Sequence, residues 1–94
     1  MIFLSEYMEY SIGLVPSCKK AINKLCTKNT KLKATLKKKI MRIQANPYHF
    51  KPLRKPMQNM RRAHILNCFV LTYEIVEEQK VVRLLKFSHH DDAY

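Results

Sequence analysis

The chain has 94 residues and a formal net charge of +11, from 18 lysines and arginines against 7 aspartates and glutamates. This length supports one domain with one modest core, and a hydrophobic content of 47% excludes a disordered basic tail. No stretch approaches the roughly 20 apolar residues of a membrane span, and Met1–Leu4 is too short for a signal-peptide core. We expect a single cytoplasmic domain over residues 1–94, with residues 1–7 loosely attached.

The acidic residues are confined to the two ends of the chain and to one turn. None lies between Tyr10 and Tyr73, a stretch that carries 15 basic residues. A folded surface with this imbalance attracts polyanions, and the attraction depends strongly on salt. The alternative is a lysine coat that only maintains solubility, but such coats usually mix both signs of charge. The distribution therefore favours nucleic acid as a partner.

Three cysteines, Cys18, Cys26 and Cys68, are odd in number and form no Cys-x-x-Cys pair. We interpret them as small buried hydrophobic residues of a protein from a reducing compartment. The spacing disfavours both a disulfide framework and a zinc site.

The first half of the chain predicts a strand followed by two basic helices. Tyr10–Val15 alternates weakly in polarity, as a first strand does. Pro16 and Ser17 then open a helix with Ser17 as its N-cap, and Thr30 caps a second helix that ends before Pro47. The apolar residues of each helix share one face: Cys18, Ala21, Ile22, Leu25 and Cys26 in the first, and Leu32, Leu36, Ile40 and Ile43 in the second.

The last third of the chain predicts a three-stranded antiparallel meander. Cys68–Val76 is rich in β-branched and aromatic residues on both sides, which is typical of a central strand. A hairpin turn at Glu77–Lys80 leads to a second apolar run, Val81–Phe87, and Arg62–Ile65 pairs on the other edge through a turn at residues 66–67. The sequence therefore predicts an α+β fold, with both helices packed on one face of the sheet.

Several residues in this third could carry chemistry. Alternation along the strand places Arg62 and His64 on one face, with Ala63 and Ile65 turned towards the helices. Arg83 and Lys86 lie within the last strand, although neither cation tolerates burial well. The chain closes with two imidazoles, two carboxylates and a phenol, in the order His89, His90, Asp91, Asp92 and Tyr94.

These side chains match the needs of RNA cleavage by 2′-hydroxyl attack. Imidazoles transfer protons near neutral pH, guanidinium groups hold a phosphate and stabilise its developing charge, and an aromatic ring stacks on an unpaired base. Structural alternatives remain open, since His64 could fill an exposed strand position and the final histidines could belong to a fraying terminus. A metal site in this tail is disfavoured, because such a short cluster has poor geometry for one ion.

A set of short motifs occurs in a characteristic order: Asn46-Pro47, Lys51-Pro52-Leu53, Arg61-Arg62-Ala63-His64-Ile65, Phe69-Val70-Leu71-Thr72-Tyr73 and His90-x-x-x-Tyr94. In this order and spacing the chain resembles the RelE/ParE toxin superfamily, and within it the RelE-like and YafQ-like mRNA interferases of type II toxin–antitoxin systems. The resemblance runs from Tyr10 to Tyr94. It implies metal-independent, ribosome-dependent cleavage of mRNA in the decoding site, without a cofactor. It also implies an acidic antitoxin like RelB or DinJ, held in a hetero-oligomer with the toxin.

The resemblance assigns roles by position. His64 matches a catalytic strand histidine of the YafQ-like branch, His90 its C-terminal histidine and Tyr94 its closing aromatic residue. His89 is an alternative to His90, because the tail can be aligned one residue either way. Arg62 or Arg83 would hold the phosphate. The expected contacts to ribosomal RNA are basic: Lys37, Lys38, Lys39, Lys51, Arg54, Lys55, Arg61 and Lys86.

The sequence also departs from the family pattern. Lys55 and Asn59 stand where glycines are common, and Leu66 replaces the usual hairpin glycine, so the loop geometry is expected to differ. Two other functions stay open at this point. One is a ParE-like toxin that inhibits DNA gyrase by binding, and the other is a basic nucleic-acid-binding module without catalysis.

Overall fold

The computed structural model describes residues 10–50, 52–53 and 59–89 of the chain. The elements are β1 (Ser11–Leu14), α1 (Pro16–Cys26), α2 (Thr30–Ala45), β2 (Met60–Ile65), β3 (Phe69–Val76) and β4 (Val81–His89), with short 3₁₀ turns at Pro47–His49 and Glu77–Gln79. The expectation for residues 1–7 lies outside this described part. Neither of the two helices is long and apolar enough to cross a membrane.

The sheet has four strands in the order β1-β4-β3-β2. Strands β2, β3 and β4 form the predicted antiparallel meander with β3 in the centre. Strand β1 joins the edge of this meander in parallel with β4, with Ser11 opposite Val81. The sheet is therefore mixed and has one strand more than the predicted meander. A parallel pairing between distant segments leaves no local signal in the sequence.

Both predicted helices are present, but their caps differ from the prediction. Val15 is the N-cap of α1 and makes no side-chain cap bond, because the helix begins with Pro16, whose fixed φ suits the first helical position. Ser17 is therefore inside the helix. In α2 the cap is Asn29, whose side-chain oxygen accepts a hydrogen bond from the backbone N–H of Leu32 at 3.0 Å. Thr30 is the first helical residue.

The helices cover one face of the sheet, as predicted, and the core lies between them. It contains residues from both helical stripes and from alternating positions of three strands: Cys18, Cys26, Leu32, Leu36, Ile43, Ala63, Ile65, Leu71, Tyr73, Val82, Leu84 and Phe87. The hydroxyl of buried Tyr73 donates a hydrogen bond to the carbonyl oxygen of Pro47 at 2.7 Å. This bond ties the central strand to the connection that follows α2.

The cysteines do not share one environment. Cys18 and Cys26 are buried in the core, as expected, and burial raises the pKa of the Cys18 thiol to about 11. Cys68 is exposed, because it lies in the β2–β3 turn and not within the central strand. The prediction that all three are buried hydrophobic residues is therefore wrong for Cys68.

The β2–β3 turn needs two residues with positive φ, Leu66 at 55° and Asn67 at 62°. Asparagine tolerates this conformation, whereas a leucine there costs roughly 1–2 kcal/mol. The Leu66 side chain packs against the hydrophobic core, and this contact offsets the cost. The turn is thus formed without the glycine that the family resemblance leads one to expect.

Candidate nucleic-acid interface

The face of the sheet turned away from the helices, which we call the polar face, carries three rows of residues that cross β2, β3 and β4. Residues opposite one another on neighbouring strands project to the same side of a sheet. The rows on this side are His64–Val70–Ser88, Arg62–Thr72–Lys86 and Met60–Glu74–Arg83. Val70 is only 1% exposed, and Thr72 and Glu74 are half-buried, so the central strand is at least partly covered on this face as well.

A β-bulge in β4 determines which side chains reach the polar face. Thr72 pairs with Lys86 and Tyr73 with Leu84, so that Leu85 is an extra residue without an opposite partner. Without the bulge, two residues three positions apart would point to opposite faces. With it, Arg83 and Lys86 both lie on the polar face and both are exposed. Bulges are frequent beside functional sites for this reason.

The middle row places one cation on each side of a short side chain. Arg62 on β2 and Lys86 on β4 flank Thr72 of the central strand, and strands two apart are separated by roughly 9.5 Å. His64 lies two residues along β2 from Arg62 and is exposed. Guanidinium and ammonium groups bind phosphates and imidazoles transfer protons, so the chemistry of these three side chains is compatible with such a site.

Arg83 lies on the same face but has a different environment. Its guanidinium donates a hydrogen bond to the carboxylate of Glu74 at 2.6 Å, and the pair forms a salt bridge between β4 and β3. The positive charge of Arg83 is therefore balanced within the fold, whereas Lys86 shares its row with Arg62. Arg83 was expected as an alternative to Arg62 for holding the phosphate and Lys86 as a contact to ribosomal RNA, but it is Lys86 that shares a row with Arg62.

His89 lies on the opposite side of the sheet from His64. It pairs with Phe69, which in turn pairs with the buried Ile65, and its ring makes an edge contact with the Phe69 ring at 5.4 Å. His89 and His64 therefore do not lie together on the polar face. The structure thus separates His89 from His64, and the other tail candidates, His90 and Tyr94, lie outside the described residues.

Two of the expected ribosome-binding residues that the structure describes, Arg61 and Lys39, contact the connection between α2 and β2. Arg61 lies on the helix side of β2, donates a hydrogen bond to the Phe50 carbonyl oxygen at 2.6 Å and stacks over the Tyr48 ring at 5.1 Å. Lys39 lies 5.5 Å from the centre of the Phe50 ring. Both cations therefore hold the connection between α2 and β2. Three other candidates, Lys51, Arg54 and Lys55, lie outside the described residues.

The three consecutive lysines of α2 point in three directions, because successive helical residues are about 100° apart. Lys39 turns towards Phe50, Lys37 lines a groove between the helices, and Lys38 is exposed outside both. The three lysines therefore have different surroundings, and their role in docking stays a prediction.

Glu77, in the acidic turn after β3, is held by three hydrogen bonds. The Glu77 carboxylate accepts hydrogen bonds from the hydroxyls of Tyr10 at 2.8 Å and Tyr48 at 2.5 Å, and from the ammonium of Lys80. These bonds, first of all that from Lys80, lower the pKa of Glu77 to about 2, and its carboxylate raises the pKa of Tyr48 to about 12. These bonds connect the start of β1 and the connection after α2 to the turn.

One candidate escaped the sequence analysis. The hydroxyl oxygen of Ser88 is buried on the polar face, in the row of His64, and has no hydrogen-bond partner among the residues that the structure describes. A serine beside two histidines carries no signal of its own. Only the strand register shows that it lies on the same face as His64.

Comparison with known proteins gives the family. Residues 17–94 match the model of the ParE toxin of type II toxin–antitoxin systems, parDE. The protein RelE4 of Methanocaldococcus jannaschii is 38% identical over 85 residues, which cover 90% of both chains. The intact RelBE toxin–antitoxin complex of E. coli contains a similar chain, with a TM-score of 0.73, 19% identity and coverage of 84% of this chain and 94% of that one.

The DinJ–YafQ toxin–antitoxin complex of E. coli gives a TM-score of 0.68 at 22% identity, over 92% of this chain and 98% of the other. At this level of identity the solved structures establish the fold, and they confirm the expected RelE-like arrangement of two helices on one sheet face. The family model and the sequence relative establish more than the fold. The chain belongs to the ParE toxin family of type II toxin–antitoxin systems, within the RelE/ParE superfamily.

Proposed function

We propose that this toxin is a metal-independent endoribonuclease that cleaves mRNA in the decoding site of the ribosome and so stops translation. One observation carries the proposal: Arg62, His64 and Lys86 lie side by side on the face of the sheet that the helices leave uncovered. A surface that only binds nucleic acid needs cations, but it does not need an imidazole beside them on a rigid strand.

The reaction uses these groups as follows. The 2′-oxygen of the substrate attacks the neighbouring phosphorus, a base takes the 2′-hydroxyl proton, and the bond from phosphorus to the 5′-oxygen breaks. An acid protonates that oxygen as it leaves, so the products carry a 2′,3′-cyclic phosphate and a 5′-hydroxyl. Arg62 and Lys86 hold the phosphate and stabilise the charge that develops on it. His64 is one of the two proton-transfer groups.

The second proton-transfer group in this proposal is His90. His89 faces the other side of the sheet, and so His90 is the remaining tail histidine. Tyr94, as the family resemblance implies, stacks on or orients a base. Arg83 supports the site indirectly, because its ion pair keeps Glu74 neutralised beside the phosphate-binding row.

The remaining basic residues contribute docking to ribosomal RNA in the cytoplasm. Lys38 is exposed on α2, and we assign Lys51, Arg54 and Lys55 to the same role on the basis of charge. Binding through such residues weakens steeply with salt, whereas the chemical step on bound mRNA does not. The antitoxin that a type II toxin requires is proposed to be acidic, since the toxin has a net charge of +11.

The test is expression of the toxin without antitoxin in a translation extract, followed by mapping of mRNA ends by primer extension. New ends within ribosome-covered codons are expected, and their appearance should fall about 10²–10⁴-fold in His64→Ala, the usual effect of losing a general acid or base. Lys20→Ala, an exposed charge change on α1 away from the polar face, is the control and should cleave normally. Intact mRNA in the presence of the folded toxin would refute the proposal.

A second candidate function follows from the family match itself, because the matching model is that of ParE toxins. A ParE-like toxin would inhibit DNA gyrase by binding and would leave mRNA intact. A supercoiling assay with purified gyrase separates the two candidates. Inhibition of supercoiling that survives His64→Ala, together with uncut mRNA, would favour the gyrase inhibitor.

A further inference from the structure

The third row of the polar face contains an ion pair that takes no part in the proposed proton transfers. Glu74 on β3 and Arg83 on β4 lie opposite each other, and Nη1 of the guanidinium donates to Oε2 of the carboxylate at 2.6 Å. The Arg83 side chain is 49% exposed and that of Glu74 is 17% exposed. An ion pair with this exposure contributes little to stability. Because its two charges cancel, the pair also adds no affinity for phosphate.

Each partner keeps hydrogen-bonding groups after the ion pair has formed. Within the described part of the chain, the bond from Nη1 to Oε2 is the one hydrogen bond that either side chain makes. A carboxylate has two acceptor oxygens, and a guanidinium has N–H donors on three nitrogens. Oε1 of Glu74 therefore stays available as an acceptor, and Nη2 and Nε of Arg83 stay available as donors. The pair presents one acceptor beside several donors, and two neighbouring strands hold them in place.

The pair lies one row away from the proposed phosphate site. Glu74 follows Thr72 by two residues of β3, and Thr72 lies between Arg62 and Lys86. Two residues of a strand span roughly 7 Å. A nucleotide carries its phosphate and its base on opposite sides of the sugar. When the middle row holds the phosphate, the base can therefore reach Glu74 and Arg83.

Strand β1 leaves the outer side of this row open. Gly13, the only glycine of the chain, lies opposite Arg83. A side chain at this position would begin 3.9 Å from Cγ of Arg83. With glycine there, no β1 side chain stands beside the guanidinium, which is therefore accessible to a flat ligand such as a base.

The available groups select one base. The Watson–Crick edge of cytosine has one amino donor followed by two acceptors, and carboxylates accept hydrogen bonds from this amino group in nucleic-acid complexes. Uracil would instead place a carbonyl oxygen against Oε1 of Glu74, so that two acceptors would face each other. Guanine presents two donors side by side and needs both carboxylate oxygens, but Arg83 already occupies Oε2. Adenine offers one acceptor fewer than cytosine.

We propose that Glu74 and Arg83 recognise an unpaired cytosine base of the mRNA. The inference rests on the proposed binding of the RNA backbone by Arg62 and Lys86, and it adds a base-binding subsite to the same face. It makes Glu74 and Arg83 determinants of sequence preference, whereas His64 and the middle row act on any RNA.

The experiment measures binding of the full-length toxin to two fluorescein-labelled octamers of 2′-O-methyl RNA, one of cytidine and one of uridine. The octamers have the same length, charge and backbone, and the methyl groups block the attacking oxygen, so that neither is cleaved. In fluorescence anisotropy the cytidine octamer should bind at least about fivefold more tightly, which is the lower end of what one good base contact contributes to discrimination. Unlabelled CMP should displace this octamer at a lower concentration than GMP.

Glu74→Gln and Glu78→Gln form a matched pair of variants. Each replaces one carboxylate with an amide, but Glu78 is exposed in the turn after β3 and lies outside the row. Glu74→Gln should reduce the preference for cytidine to less than about twofold, because it removes the charged acceptor for the amino group. Glu78→Gln should retain the preference. The double exchange of Glu74→Arg with Arg83→Glu keeps the ion pair but reverses the order of acceptor and donors, and it should also lose the preference. Circular dichroism confirms that each variant is folded.

Equal affinity of the wild type for the two octamers would overturn the inference, and so would displacement by GMP at a lower concentration than by CMP. A preference for cytidine that survives Glu74→Gln and the double exchange would place the recognition elsewhere and would also refute it. The assay is independent of cleavage. A toxin that cuts mRNA but binds both octamers equally contradicts only this inference, and one that prefers cytidine but leaves mRNA intact contradicts only the proposed function.

Discussion

Replacing Tyr73 with phenylalanine removes one oxygen atom from the centre of the fold. Tyr73 is 0% exposed, and its hydroxyl donates to the carbonyl oxygen of Pro47, itself buried, at 2.7 Å. Phenylalanine leaves the buried carbonyl without its donor, and a buried polar group that loses its hydrogen-bond partner costs about 1–3 kcal/mol. We expect Tyr73→Phe to lower the free energy of unfolding by about 2 kcal/mol. For a domain of this size that corresponds to a fall in Tm of about 8–16 °C.

The assay is unfolding in urea, monitored by circular dichroism, with Tyr48→Phe as the matched control. Tyr48 also loses a hydroxyl hydrogen bond, to Glu77 at 2.5 Å, but its side chain is exposed. An exposed interaction with a charged partner contributes less than about 1 kcal/mol. If the two variants lost equal stability, burial would not be the source of the Tyr73 contribution, and the reasoning would fail.

The same hydroxyl predicts a dependence on alkaline pH. Burial raises the pKa of Tyr73 to about 12 from an ordinary value of 10.0. Above the unfolded pKa of about 10 the unfolded chain releases this proton while the folded chain retains it, so stability falls as the pH rises towards 12. The wild type should therefore lose more stability than Tyr73→Phe between these two pH values. Equal slopes would show that Tyr73 titrates in the same way in both states.

The remaining predictions concern the polar face and the acidic turn. His64→Ala should lower the single-turnover cleavage rate on saturated ribosomes by about 10²–10⁴-fold. His89→Ala should retain the rate and lose only about 0.5–1 kcal/mol of stability, because it removes the contact to Phe69. A greater rate loss in His89→Ala than in His64→Ala would contradict the strand register. The hydrogen bonds to Glu77 stabilise its charged form in the folded protein and lower its pKa, so the wild type should lose stability as the pH falls from about 4.5 towards 2. Glu77→Gln should not show this loss. Acid unfolding curves that coincide for the wild type and the variant would oppose this reasoning. Ser88→Ala should leave thermal stability equal or slightly higher, since it removes a buried hydroxyl without a described partner, and reduced cleavage in that stable variant would indicate contact with the substrate.

Local patterns were sufficient for most of the fold. Alternation placed Ala63 and Ile65 under the helices and Arg62 and His64 on the other face. The predicted apolar stripe of α2 faces the core, with Leu32, Leu36 and Ile43 buried and Ile40 half-buried. The cap of α2 was missed because two plausible capping residues, Asn29 and Thr30, are adjacent. The cap of α1 was missed because its helix begins at Pro16, one residue before the predicted cap Ser17. The pairing of β1 with β4 could not be predicted, since neither strand contains information about a partner so far along the chain.

The candidate site was predictable in part. Its residue types were recognised from chemistry, but their arrangement depends on the bulge at Leu85, which exchanges the faces of all residues beyond it. That one extra residue places Lys86 beside Arg62 and turns His89 away from His64. A one-residue change of register has no signature in composition. The face of the sheet on which Arg83, Lys86 and His89 lie could therefore be determined only from the structure.

The parallel pairing of β1 with β4 also determines the order in which the molecule can be assembled. Ser11 pairs with Val81, about 70 residues further along, and closing a loop of that length costs on the order of 2–3 kcal/mol more entropy than closing a five-residue hairpin. The edge strand should therefore join last during folding, after the local meander has formed. During synthesis, α1 and α2 are complete at Ala45, while the polar face requires Lys86. The nascent chain thus contains the whole groove about 40 residues before it contains the residues proposed to bind the phosphate.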